Sequence, residues 1–214
     1  MAKRAKSAAA RGRAARAAKT SDAELSARIL EAAMALAAEQ GWRAVTPEAI
    51  AARTDIAASD VARICPDRAA VLKALAAHAD AAVASGTSDQ DEPRDRIFDA
   101  VMKRFDALQP YRKGIAAALK GQIGDPRGAV MAACALRQSM IKTLEAAGVD
   151  TSGLFGALRV KGLSAIYLDV MRSFVEDDSA DLGKTMAALD KRLKFVDRIV
   201  GAISGLGLGA KSAA

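Results

Sequence analysis

The stretch Thr46-Pro47-Glu48-Ala49-Ile50-Ala51-Ala52-Arg53-Thr54-Asp55-Ile56-Ala57-Ala58-Ser59-Asp60-Val61-Ala62-Arg63-Ile64-Cys65-Pro66 decides the fold. Thr46 is placed to cap orphan N–H groups, Pro47 suits a first helical position, and Glu48 suits the positive end of a helix dipole. A short helix is therefore expected from Pro47 to about Arg53. Thr54-Asp55 breaks it and Ile56 is an apolar plug. A second short helix from Ala57 or Ala58 then runs to about Cys65, where Pro66 stops it. Two short helices on a tight turn make a helix-turn-helix.

Outward from this unit the periodicity stays helical. On the N-terminal side a longer helix starts at a Ser21-Asp22 cap, spaces Leu25, Ile29, Ala33, Leu36 and Ala37 along one face, and ends at Gly41. On the other side a helix from Asp67 to about Ala84 is apolar at Val71, Leu72, Leu75 and Ala79. Residues 85–93 form a polar linker.

Beyond the linker, a helix over Arg94 to Leu108 should turn Ile97, Phe98, Val101, Met102 and Phe105 inward, and a short one is expected from Tyr111 to Leu119. A further helix, ending near Gly148, carries Val130, Met131, Cys134, Leu136, Ile141 and Leu144. Two long helices follow. One, about Ser152 to Val175, has Leu163, Ile166, Tyr167, Val170, Met171 and Phe174 on a stripe, with Gly153, Gly156 and Gly162 small enough for close helix approach. The other, about Ala180 to Ile203, spaces Met186, Leu189, Leu193, Val196, Val200 and Ile203 as a heptad seam. That seam suits either the inward face of a monomeric bundle or a dimerisation contact.

No sustained period-2 run of β-branched residues occurs, so the class is all-α: an N-terminal three-helix helix-turn-helix domain followed by a larger helical bundle. The expected organisation is a disordered basic tail (1–20), a helix-turn-helix domain (21–86), a ligand-binding and dimerisation bundle (87–204) and a flexible C-terminal tail (205–214).

Charge is concentrated at one end. Of 32 basic residues in this 214-residue chain, Lys3, Arg4, Lys6, Arg11, Arg13, Arg16 and Lys19 precede any acid, leaving 25 against 25 acids in the rest and a formal net charge of +7. A nucleic-acid protein with a broad basic face is thereby disfavoured. The tail itself could follow a DNA backbone or enter a minor groove, or simply be solvated. No apolar run is long enough to span a bilayer and no secretory core is present. A cytoplasmic location is expected, although an acid-free, Arg-containing N-terminus also suits an organelle transit peptide.

Catalytic and metal chemistry find few residues to use. Cys65 and Cys134 cannot build a disulfide framework, and with His78 the only histidine no zinc quartet is available. There is no Gly-rich phosphate loop and no Ser/His/Asp set. No enzyme, cofactor or metal is expected. Cys65 and Cys134 read as small buried hydrophobes, and His78 as a surface or packed residue.

Between Arg43 and Lys73 five bases face four acids, so the helix-turn-helix is electrostatically lean. If it meets DNA, Thr46 and Arg68 sit at helix N-termini where phosphate is held. Ala57, Ala58, Ser59, Ala62 and Arg63 face the groove, and Lys73 adds a nearby cation. Arg63 is the one side chain there able to bind guanine through two hydrogen bonds. In the second region, which holds seven of the eight aromatic residues, Met102, Phe105, Tyr111, Met131, Cys134, Tyr167 and Met171 fall on presumed inward stripes. They either fill a core or line a pocket for an apolar small molecule, and no buried charge is evident there to demand a polar one.

The run from Ile29 to Trp42, followed by Ala44 to Ala51 and Asp55 to Leu72, resembles the DNA-binding domain of the TetR-like bacterial transcriptional regulators over about residues 25–85. Ala62, Arg63 and Cys65 hold places where that family usually shows a Tyr, an aromatic or basic residue, and a Phe. The resemblance implies a homodimer that binds double-stranded operator DNA and senses a small effector in its C-terminal bundle. Arg96 to Arg112 and Leu189 to Leu193 are also similar to segments of the ubiquinone-biosynthesis lipid-binding accessory family, which shares that fold. This implies an alternative: a lipid- or isoprenoid-binding protein without DNA binding, with a membrane surface as partner. Ser204 to Gly209 departs from it, since alternating glycines should not form a membrane-seeking helix.

Overall fold

A computed structural model describes residues 22–84, 92–121 and 126–205, with side chains of the last segment from 128 to 198. Among the described residues every regular element is helical. Helix α1 covers residues 22–40, and a 3-10 turn follows at Trp42–Ala44, with a second at Gln109–Tyr111. Then come α2 (Pro47–Thr54), α3 (Ala58–Ile64), α4 (Arg68–Val83), α5 (Pro93–Leu108), α6 (Arg112–Gly121), α7 (Pro126–Ala146), α8 (Gly153–Val175) and α9 (Gly183–Gly205). The expected Ser21 cap, the N-terminal tail (1–20) and all of the C-terminal tail except residue 205, that is 206–214, lie outside the described residues.

The local signals act as anticipated in the first part of the chain. Thr46 accepts a hydrogen bond from the Ala49 N–H at 3.2 Å, with Pro47 at the first helical position. Asp55 closes α2 in the left-handed region at φ 54. Asp67 accepts from the Ala70 N–H at 2.8 Å, serving as a cap that starts α4. At the far end α9 begins at Gly183 rather than near Ala180. The buried Asp177 carboxylate accepts from both the N–H and the hydroxyl of Thr185, while Ser179 Oγ accepts from the Gly183 N–H, so the preceding residues serve as a side-chain cap instead of helix.

The chain divides into two compact units that cut across the sequence linker. One comprises the described residues up to Leu75 with Lys113–Ala129; the other comprises Ala76–Arg112 and the described residues from Val130 onward. Helix α4 thus gives its first half to one unit and its second half to the other. Most of α6, expected with the bundle, clusters with the helix-turn-helix. The reason is a pair of close approaches that a Cβ would block: at Gly114 it would meet the Met34 carbonyl oxygen at 2.5 Å, and at Gly121 the Trp42 Cβ at 2.5 Å. Ile29, Leu30, Ala33, Met34, Leu36 and Ala37 of α1, together with Trp42, Val45, Ile50, Ile56, Val61 and Cys65, are buried in this first unit.

In the second unit the α8 stripe is inward at Leu163, Tyr167, Val170, Met171 and Phe174, and α5 buries Val101, Met102, Phe105 and Leu108. Two expectations are corrected. Helix α7 turns Met140, Thr143 and Leu144 inward, a 3,4-spaced face in its C-terminal half that Ala147 just beyond it continues, whereas Val130, Met131 and Cys134 are exposed. On α9, Leu189 and Leu193 are buried within the chain, so they serve as an inward face, and Met186 and Val196 lie outside that face. Val200 and Ile203 have no described side chains. Of the three α8 glycines, Gly156 is packed on the Thr151 backbone, while a Cβ at Gly153 or Gly162 would meet nothing within 4 Å.

Candidate DNA-binding face and bundle core

The helix-turn-helix is seated from below. Ile50, Ile56, Val61 and Cys65 are buried, and the Cys65 thiol is pushed up to about 11 by that burial and by Asp67. Such a thiol stays protonated, which leaves it a packing group rather than a nucleophile. Arg28 on α1 donates to the Thr54 carbonyl at 2.7 Å and fixes the end of α2. Arg53 forks onto Glu39 through two hydrogen bonds of 2.7 and 2.6 Å, and the hydrogen bond from Arg53 holds that carboxyl below its ordinary range. Helix α2 is thereby tied to the long helix at two points before any partner is present.

Above this seat, Ala57, Ala58, Ser59, Ala62 and Arg63 are all exposed. Every groove-facing residue expected from the sequence therefore lies on the open side of the turn and α3. Thr46 and Lys73 are exposed and Arg68 is half-buried. The Thr46 hydroxyl is already engaged twice, as the cap acceptor for the Ala49 N–H and in a hydrogen bond with the Glu48 carboxylate, so a phosphate would have to compete for it. Arg63 is not idle: its Nη2 donates to Asp22 Oδ1 at 2.9 Å and lies 3.5 Å from Asp60 Oδ1. Asp22 first and Asp60 second raise its pKa further above the usual guanidinium value. A base edge must displace both acids to reach it. Asp22 was not singled out by periodicity, because its partner is 41 residues away.

The second set of residues separates. Met102, Phe105, Tyr167 and Met171 are buried together in the second unit and Tyr111 is half-buried, but Met131 is 54% exposed and Cys134 is exposed, so those two do not face this core. Phe105 stacks on Tyr167 at 5.0 Å between ring centroids and tilts against Phe174 at the same distance. His78 is an exposed residue set edge-on to the Tyr111 ring at 5.5 Å.

This core also contains what the sequence reading did not expect, a buried charge. Arg104, 2% exposed, donates from Nη1 to Asp80 Oδ1 at 2.5 Å and lies 5.5 Å over the Tyr167 ring. Lys142 donates to the other oxygen of Asp80 at 2.9 Å. Burial pushes the Asp80 carboxyl up, but hydrogen bonds from Arg104, Lys142 and Ser139 outweigh it and leave the group below the ordinary carboxylate value. Burial raises Tyr167 above an ordinary phenol, opposed by Arg104. A signal for this pair existed: Arg104 occupies the same stripe as Val101, Phe105 and Leu108, and Asp80 directly follows the core residue Ala79.

Among the described residues no three His, Cys, Asp or Glu side chains come together to hold a metal ion, and no helix is long and apolar enough to cross a membrane. No family model and no curated protein matches the chain. Solved structures do. A TetR transcriptional regulator of Nitrosomonas europaea ATCC 19718 superposes with a TM-score of 0.68 at 21% identity, covering 82% of this chain and 99% of that one. A TetR transcriptional regulator of Rhodococcus sp. RHA1 superposes with a TM-score of 0.55 at 16% identity, covering 80% of this chain and 94% of that one. The chain has the TetR-like fold, all-α with an N-terminal helix-turn-helix.

Proposed function

We propose that the chain is a transcriptional regulator whose helix-turn-helix, within residues 21–86, binds double-stranded DNA as part of a homodimer, while residues 87–204 sense an apolar small molecule. The observation that carries this reading is the outer face of α3. Ala57, Ala58, Ser59, Ala62 and Arg63 are exposed over buried Val61 and Cys65. A short helix fixed from beneath, with small side chains above, allows its backbone to come close to a groove, and Arg63 is the base reader. The likeness to two regulators of this fold supports the same reading; it lends no support to the lipid-binding alternative. No catalytic role is assigned to any residue.

Homodimerisation is supported by apolar side chains left outside the protomer core. Leu154, Phe155, Leu158 and Leu168 on α8 and Met186, Phe195 and Val196 on α9 are exposed, and α8 and α9 pack together. Such side chains mark an interaction surface rather than a solvated one. A second copy covers them.

Selection from random duplexes tests the reading. A two-fold dimer should enrich near-palindromes with half-sites about 34–36 Å apart or a multiple of it. Arg63→Ala should relax one base position by roughly tenfold or more, and removal of residues 1–19 should weaken all sequences alike and flatten the salt dependence. Enrichment of no sequence by the intact chain overturns the proposal.

A further inference from the structure

The Arg104 site has more binding capacity than the protein uses. Its contact with Asp80 engages Nη1, and its Nε is buried with no hydrogen-bond partner among the described residues. A buried donor without an acceptor is costly, the more so on a charged group. The surroundings are aromatic: Tyr167 lies beneath the guanidinium and Phe105 stacks on Tyr167. Asp80 does not depend on Arg104 alone, since Lys142 and Ser139 also donate to it. In charge, Arg104 and Lys142 against Asp80 leave one positive charge uncompensated. Lys142 is largely exposed, whereas Arg104 is not, so the deficit at the buried end is one of donors without acceptors.

We infer that Arg104 anchors the carboxylate of an apolar monocarboxylic acid, which accepts a hydrogen bond from the Nε–H and lays its hydrocarbon part along Phe105, Tyr167 and Phe174. This rests on the effector-sensing reading above and names the class of effector. A carboxylate supplies the acceptor that the buried Nε–H lacks, and its two coplanar oxygens fit the guanidinium fork. A doubly charged phosphate would bring a second negative charge beside Asp80 into an aromatic core. Asp80 repels the incoming anion and sets the affinity, while Lys142 and Ser139 keep Asp80 satisfied when Arg104 turns part of its donor set to the ligand. The second half of α4, which carries Asp80, is therefore the element whose electrostatics change when the acid binds.

The test uses the full chain and three probes of equal chain length: decanoate, 1-decanol and methyl decanoate, with binding read by calorimetry. Decanoate should bind at least tenfold more tightly than either neutral probe. Asp80→Asn should strengthen decanoate binding roughly tenfold, because a facing negative charge is removed, and should leave the neutral probes unchanged. Increased affinity cannot come from misfolding, so this variant keeps the inference open to refutation even if Arg104→Gln fails to fold. The double variant Asp80→Asn with Arg104→Met removes the buried pair together and should lose the preference for the acid while retaining the neutral probes. Equal binding of acid and alcohol by the wild type, or unchanged decanoate affinity in Asp80→Asn, overturns the inference and leaves an apolar effector site standing. Binding of none of the three overturns both.

Discussion

Asp177→Ala should be among the most damaging single substitutions in the chain, although the residue lies in a loop. Its carboxylate is fully buried and accepts four hydrogen bonds: from the Ser179 N–H at 3.2 Å and hydroxyl at 2.5 Å, and from the Thr185 N–H at 2.8 Å and hydroxyl at 2.7 Å. Hydrogen bonds to a charged group contribute roughly 1.5–3 kcal/mol each, but four donors on one carboxylate do not add. Removing it strands the Thr185 N–H and hydroxyl in a buried site and deprives α9 of its cap, which by itself costs about 1 kcal/mol. The loss should be about 3–4 kcal/mol, out of a total stability of roughly 5–15 kcal/mol. Asp177→Asn, which keeps one acceptor oxygen, should lose about half as much. Urea unfolding followed by circular dichroism measures this directly through the midpoint at constant slope. The same group gives a pH signature. Burial raises its pKa, but the Ser179 and Thr185 donors overcome burial and hold it far below the ordinary carboxylate value. A depressed folded pKa means that the stabilisation is complete above the unfolded value near 4 and is lost as pH falls through and below it. Wild type should therefore lose more stability than Asp177→Asn between pH 5 and pH 3. A loss under about 0.5 kcal/mol in Asp177→Ala, or parallel pH curves for wild type and Asp177→Asn, would refute the assigned cap.

Two further outcomes test other parts of the fold. Gly121→Ala would drive a methyl group against the Trp42 Cβ at 2.5 Å and should destabilise by roughly 1–3 kcal/mol, lowering the thermal midpoint; an unchanged midpoint would show that α6 is not held there by close approach. Leu158→Asp places a charge on an exposed α8 position, so it should convert dimer to monomer in sedimentation while helicity is retained, whereas Leu193→Asp should unfold the chain because Leu193 is 5% exposed. A wild-type monomer at micromolar concentration would contradict the role given to α8.

Local chemistry was enough to read the fold class and the helix-turn-helix from the sequence. Thr46, Pro47 and Asp55 act within a few residues of themselves, through a cap, a preset φ and a left-handed stop, and the structure realises each. The open face of α3 followed as well, because a seven-residue helix with Val61 buried leaves Ala62 and Arg63 nowhere but outside. What tertiary structure alone decided are the pairings across long stretches of chain. A stripe gives the direction in which a helix is apolar, not which part of it is covered: α7 has apolar residues at both ends, yet Met140 and Leu144 are buried while Met131 and Cys134 are exposed. The heptad spacing of α9 was compatible with two partners, and packing within the chain claimed Leu189 and Leu193. Gly114 and Gly121 joined α6 to the first unit through contacts with Met34 and Trp42 that no periodicity encodes. Arg104 and Asp80, 24 residues apart, became a buried pair only when two helices placed one charge opposite the other. A charge on an apolar stripe is tolerable only where its counter-charge is delivered from elsewhere in the chain, and that delivery is a property of the assembled fold.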